Sequence, residues 1–157
     1  MNRHATRGLV VQTLYHMEVG ANKKEDAIFN VEGFVSHLKE KAINDSEINL
    51  SEAVIKEAFH LDPYYFSTVD GVMTHLEEID QLIVDHLKGW SMNRLNKVDK
   101  AILRLAVYEM MTGTIDIKII INEAVELTKN FTDTGDKKST SFNNKLLDQI
   151  SQKFKRE

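Results

Sequence analysis

Val98-Asp99-Lys100-Ala101-Ile102-Leu103-Arg104-Leu105-Ala106-Val107-Tyr108-Glu109-Met110-Met111 is the stretch on which the reading of this 157-residue chain turns. As a helix it has no wide polar face, and a helix apolar nearly all round is a central one, covered on several sides. Its one continuous polar stripe is Lys97, Lys100, Arg104 and Tyr108, three or four residues apart. A central helix needs others around it, and the flanking sequence supplies them. Upstream, Val10, Leu14 and Met17 recur at helical spacing, as do Val31, Val35, Leu38 and Ala42. Ser51 is placed to cap a short helix carrying Val54, Ile55, Ala58 and Phe59. Asp62 and Pro63 start another, which runs through Tyr65, Val69, Val72 and Leu76. A further one carries Ile79, Leu82, Ile83 and Leu87 and stops at Gly89. Downstream, Ile115 to Ile121 is β-branched enough for a strand. However, Ile120, Ala124, Leu127 and Phe131 continue at helical spacing behind Asp116 as a cap, so the reading is helix. Thr132 to Ser141 (TDTGDKKSTS) reads as a polar loop, and Phe142, Leu146, Ile150 and Phe154 mark a last amphipathic helix.

One proline and seven glycines agree with an all-α chain. The expectation is a compact bundle of about seven or eight helices in two packed three-helix-type subdomains, with residues 1–157 forming one domain. The absence of cysteine excludes a disulfide scaffold, a thiolate zinc site, an iron–sulfur cluster and a cysteine nucleophile. The six histidines are scattered, with no two at i, i+4, and no phosphate-binding glycine loop, HExxH or GxSxG is present. Glu77, Glu78 and Asp80, and again Glu123 and Glu126, lie in charged surroundings. General acid–base work needs a desolvated carboxyl, so these read as solvated faces or cap partners. No enzyme, metal or cofactor is expected. The opening MNRHATRGLVVQTLYHMEVG lacks the apolar core of a signal peptide, and no stretch approaches the roughly 18 apolar residues of a membrane span. A cytoplasmic protein with no membrane partner is expected.

A net charge of −4 argues at first sight against nucleic acid, but the charge is not evenly spread. Residues 1–24 carry Arg3, Arg7, Lys23 and Lys24 against Glu18 alone. Residues 137–157 carry six cations against Asp148 and Glu157. The segment 25–85 has Lys39, Lys41 and Lys56 against fourteen acids, and 86–136 is balanced at seven against seven. Both ends are therefore basic on an acidic chain, which speaks about partners rather than fold. Solvated basic tails are the plain alternative.

Three blocks together resemble the NusB family of bacterial transcription antitermination factors. The first is Val11-Gln12-Thr13-Leu14-Tyr15, preceded by Arg3 and Arg7. The second is Val98 to Glu109, led by Trp90 and Arg94. The third is Ile121-Asn122-Glu123-Ala124-Val125-Glu126-Leu127-Thr128-Lys129-Asn130-Phe131, followed by Phe142-Asn143-Asn144-Lys145-Leu146-Leu147-Asp148. Their order and spacing make the match specific, and it covers most of the chain outside residues 20–62, an acidic stretch longer than usual for the family. The resemblance implies an all-helical RNA-binding adaptor. Such adaptors pair with the ribosomal protein NusE and bind boxA-like single-stranded RNA of ribosomal RNA leaders, within an RNA polymerase antitermination complex. It leaves a homodimer open, since some relatives self-associate. The family's FVNG is here Phe142-Asn143-Asn144-Lys145, with lysine in place of glycine.

Carried over residue by residue, RNA contacts are expected from Arg3, Arg7, Gln12, Lys129, Lys137, Lys138, Phe142, Asn143 and Lys145, and partner contacts from Tyr15, Asp99 and Arg104. Arg3 and Arg7 share a helix face with Val10 and Leu14, so they escape burial only if the helix start projects, with Thr6 as its cap, or if Arg3 lies in a preceding arm. Projecting guanidinium groups suit phosphate. Phe142 among lysines suits base stacking, against the alternative of a core plug. Tyr15 suits a protein hot spot, against an ordinary half-buried tyrosine. Arg104 on so apolar a helix must pair or reach solvent, and a structural pairing is the favoured reading. Trp90, Met92 and Leu95 are expected to seal the junction of the two halves. The rival function is a protein–protein adaptor with little RNA binding. The missing cysteine and glycine loop argue against a second rival, an rRNA methyltransferase carrying such a domain.

Overall fold

The computed structural model describes residues 1–20, 23–44 and 51–155. Arg156 and Glu157 of the basic end, and residues 21–22 and 45–50 of the acidic stretch, lie outside them. Eight α-helices and one 3-10 turn account for the secondary structure of the described residues, with no strand among them. They divide into two units, Met1–Val69 and Asp70–Glu157.

The first unit holds α1 (Arg3–Gly20), α2 (Lys24–Asn44), α3 (Glu52–Ala58) and the opening half of α4 (Pro63–Thr74). α1 starts where Asn2 accepts the Ala5 amide at 2.8 Å. Thr6 is therefore not the cap: it lies one turn further in, buried, with its hydroxyl donating to the Asn2 carbonyl. Val10, Val11 and Leu14 of α1 and Ala27, Val31 and Val35 of α2 form the core, with Ile55, Tyr65 and Val69. The Thr13 hydroxyl donates to the Leu9 carbonyl at 2.8 Å, so the Tyr65 hydroxyl, 2.6 Å away, donates to Thr13. Burial pushes the Tyr65 phenol up to about 12. The expected caps of α3 and α4 are in place: Ser51 accepts the Val54 amide and Asp62 the Tyr65 amide.

The second unit holds the rest of α4, then α5 (Leu76–Asp85), the 3-10 turn Met92–Arg94, α6 (Lys97–Thr112), α7 (Ile117–Phe131) and α8 (Lys138–Ser151). α6 touches α5, α7 and α8, which gives it the central place its sequence asked for. Ala101, Ile102, Leu103, Leu105, Ala106 and Val107 are all buried. Asn96 accepts the Val98 and Asp99 amides at its start, and Gly113 closes it at φ +68. Asp116 accepts the Lys118 amide at 2.8 Å, so the β-branched run is the first turn of α7.

Several boundaries differ from expectation, α5 ending at Asp85 short of Leu87 and α8 at Ser151 short of Phe154. The helix read as continuous through Leu76 ends at Thr74, because His75 leaves helical geometry at φ −106 and ψ 18 before α5 begins at Leu76. α8 begins at Lys138 rather than Phe142, because Asp136 accepts the Lys138 amide at 3.0 Å and starts the helix before its apolar pattern begins.

Candidate nucleic-acid and partner interface

In the first unit, Arg3 stands exposed in the opening turn of α1, its guanidinium carbon 3.7 Å from the centre of the Tyr64 ring. This is a cation–π stack that holds the charge at the surface while desolvating one of its faces. Arg7 lies 6.0 Å from the same ring centre but is only 4% exposed. The helix start projects for Arg3 and not for Arg7. Because α1 begins at Arg3, Arg7 falls in its second turn, level with the buried Thr6 and Val10. Gln12 and Tyr15 are half-buried, and the Tyr15 ring sits 6.0 Å from that of His16. Tyr64 had no sequence signal beyond following Pro63, since its role depends on α4 being brought to α1.

In the second unit, two residues expected at binding surfaces face inward. Asn143 is fully buried, and its Nδ2 donates to Asp99 at 3.2 Å and to Thr128 at 3.1 Å. Its Oδ1 is buried without a hydrogen-bond partner. Asp99 is 7% exposed and also accepts the Thr132 hydroxyl at 2.7 Å. The physical reason is the face on which α8 packs. Asn143, Leu146, Leu147 and Ile150 turn inward together, so Phe142 and Lys145 take the outward face. Arg104 directs its Nε and one terminal nitrogen to the two oxygens of Asp80, both at 2.8 Å. That fork is the structural pairing favoured above.

Lys129, Lys137, Lys138 and Lys145 are exposed. Lys129 reaches Glu126 at 3.4 Å, a loose pair with both side chains more than half exposed (55% and 56%). The loop before α8 is organised by Asp133, which accepts the Gly135 and Lys137 amides and the Thr140 hydroxyl. The Thr140 bond first, and the Gly135 amide next, hold its carboxyl below the usual range. Lys137 itself takes the left-handed conformation, φ 61, which sets the turn into α8. Lys129, Asp133, Lys137 and Thr140 line an open cavity of about 470 Å³.

Phe142 is 38% exposed and so is no core plug. Trp90, expected to seal a junction, is 52% exposed, with its ring centre 6.3 Å from that of Phe142, whereas Leu95 is buried. Trp90 follows the left-handed turn at Gly89, φ +77. Among the described residues no three His, Asp or Glu side chains converge as metal ligands, and no helix is long and apolar enough to cross a membrane. Each unit thus offers cations and aromatic faces, which suit a phosphate backbone and unpaired bases.

Comparison with known proteins agrees with the resemblance. The NusB family model matches residues 4–152. A transcription antitermination protein NusB from an Exiguobacterium species is 34% identical over 151 residues, covering 96% of this chain and 97% of its own. That of Bacillus subtilis is 38% identical over 121 residues, covering 71% of this chain and 90% of its own. Among solved structures, one of antitermination factors NusB and NusE in complex with double-stranded RNA has the same fold. Its TM-score is 0.70 at 24% identity, covering 96% of each chain.

Proposed function

From the premise that this chain belongs to the NusB family, we propose that it is a non-enzymatic transcription antitermination factor acting in the cytoplasm. It binds boxA-type single-stranded RNA of ribosomal RNA leaders together with NusE, as a single RNA-binding domain, and joins the RNA polymerase complex. The observation that carries this reading is the near-full-length match to antitermination proteins. The solved NusB–NusE–RNA complex of the same fold supports the choice of partners. Arg3, Lys129, Lys137, Lys138, Phe142 and Lys145 are the exposed candidates for RNA. Gln12 and Tyr15 lie on the same helix as Arg3, with Tyr15 assigned to the protein partner. Arg7, Asn143, Asp99 and Arg104 support these contacts from beneath.

Thermodynamic linkage requires that NusE strengthen RNA binding by the factor with which RNA strengthens the protein pair. Titrating fluorescent boxA RNA with and without NusE tests the proposal. Tighter binding than to a scrambled RNA, sharpened by NusE, is expected, and equal affinity for both RNAs in both conditions overturns it. The burial of Arg7 and Asn143 favours a second reading, a protein adaptor with little RNA affinity of its own. Salt distinguishes the two, because single-strand affinity falls with log salt at a slope of about 0.7 per phosphate neutralised. A flat response with NusE still bound favours the adaptor.

A further inference from the structure

Trp90 is the single tryptophan of the chain, and it is 52% exposed beside Phe142, itself 38% exposed. Solvent exposure of two large rings at one place is costly unless something covers them. The two rings, with His86, Lys88, Lys145 and Leu146, line an open cleft of about 200 Å³. The surroundings choose the occupant. Two lysines at the rim disfavour a cationic or purely apolar guest and favour one that is flat, apolar on its face and attached to negative charge. A nucleobase on its phosphate backbone has that combination, and every base has a π-face.

We propose that Trp90 and Phe142 form a stacking platform for one unpaired nucleobase, with Lys88 and Lys145 neutralising the phosphates on either side of it. The inference rests on the RNA-binding reading above and extends it to Trp90 and Lys88, which that reading leaves without a role. The geometry also sets how the base is held. Sandwiching a base between two rings needs about twice the 3.4 Å stacking rise and parallel planes. Here the ring centres are 6.3 Å apart and the planes are inclined by 49°. The base therefore lies on the face of Trp90 and meets Phe142 at an edge, which predicts a larger loss on removing the tryptophan than the phenylalanine.

The tryptophan provides its own readout. The full chain, with NusE present, is titrated with a boxA oligonucleotide carrying a 5′ dye. Anisotropy reports total binding while intrinsic fluorescence reports Trp90. Quenching that saturates with the anisotropy curve is expected. So is an affinity loss of about 5- to 150-fold in Trp90→Ala, the range for one stacked base. Trp90→Phe, which keeps a ring, should recover most of that loss. Circular dichroism of Trp90→Ala establishes that the helix content is kept. Binding by anisotropy with unchanged tryptophan emission, and full affinity in Trp90→Ala, overturns the platform and leaves the RNA-binding reading standing. Absence of any RNA binding overturns both.

Discussion

Asp99 on α6 and Asn143 on α8, 44 residues apart in the chain, are joined by a hydrogen bond of 3.2 Å. The bond ties the central helix to the one that presents Phe142 and Lys145 outward. Thr128 and Thr132 complete the cluster, so α6, α7 and the start of α8 share one buried polar node. A buried polar group that loses its partner costs about 1–3 kcal/mol. Asp99→Ala leaves Asn143 with Thr128 alone and should lower stability by that amount in urea unfolding, with a parallel loss of RNA affinity as α8 loosens. Asn143→Asp should cost more, because it sets a second carboxyl against Asp99 in a dry site. A stable Asp99→Ala protein that has lost only NusE affinity would return Asp99 to the partner surface.

Arg3 and Arg7 should separate. Arg3 is exposed and stacked on Tyr64, so Arg3→Ala should change stability by no more than about 0.5 kcal/mol. It should weaken RNA binding and flatten the salt slope by about 0.7, the share of one phosphate. Arg7 is 4% exposed, and its removal disturbs both packing and buried charge. Arg7→Ala should cost on the order of 3 kcal/mol. Melting curves beside RNA titrations at two salt concentrations decide the matter. An Arg7→Ala protein that melts like the parent but no longer binds RNA contradicts this division.

How far the sequence reached is clear from the same residues. Periodicity found the helices because burial imposes a 3.6-residue repeat, and it placed the caps at Ser51, Asp62 and Asp116 because orphan amides need short polar side chains. It put the start of α8 too late, since a helix initiated by Asp136 has no apolar face to announce it. Asn143 points inward because it shares the packed face of α8 with Leu146, Leu147 and Ile150. Residue type alone cannot distinguish an asparagine that reads a base from one that braces a helix. In the same way, Arg3 and Arg7 look alike in sequence. The start of α1 at Arg3 makes one a surface cation and the other, a turn further in beside Thr6 and Val10, an internal one.

Asp133 gives the loop before α8 an acid limit. Its carboxyl is held below the ordinary range, so the fold favours the ionised form. The resulting stabilisation is complete above the unfolded value of about 3.9 and is lost as pH falls through the lower folded value. The Gly135 amide, which donates to Asp133 at 2.8 Å, should report this directly. Its proton shift should titrate with a midpoint below about 3.9, and Asp133→Asn should abolish the step. A midpoint at or above that value would show that the Thr140 and Gly135 bonds do not act on the charge.

Arg104 presents the sharpest choice between a structural and a partner role. Its fork to Asp80 uses two bonds of 2.8 Å with side-chain exposures of 12% and 27%, so the pair is screened only in part. Lysine keeps the charge but cannot make both bonds from one planar group. Arg104→Lys should therefore lose about 1 kcal/mol of stability, and Asp80→Ala a similar amount. The double variant should lose less than the sum, since each change removes the same contact. NusE affinity measured on the same proteins then discriminates. If it tracks stability, the fork acts by holding α5 against α6. If Arg104→Lys leaves the melting point unchanged and NusE affinity falls, the guanidinium is a direct partner contact and the Asp80 pairing only orients it.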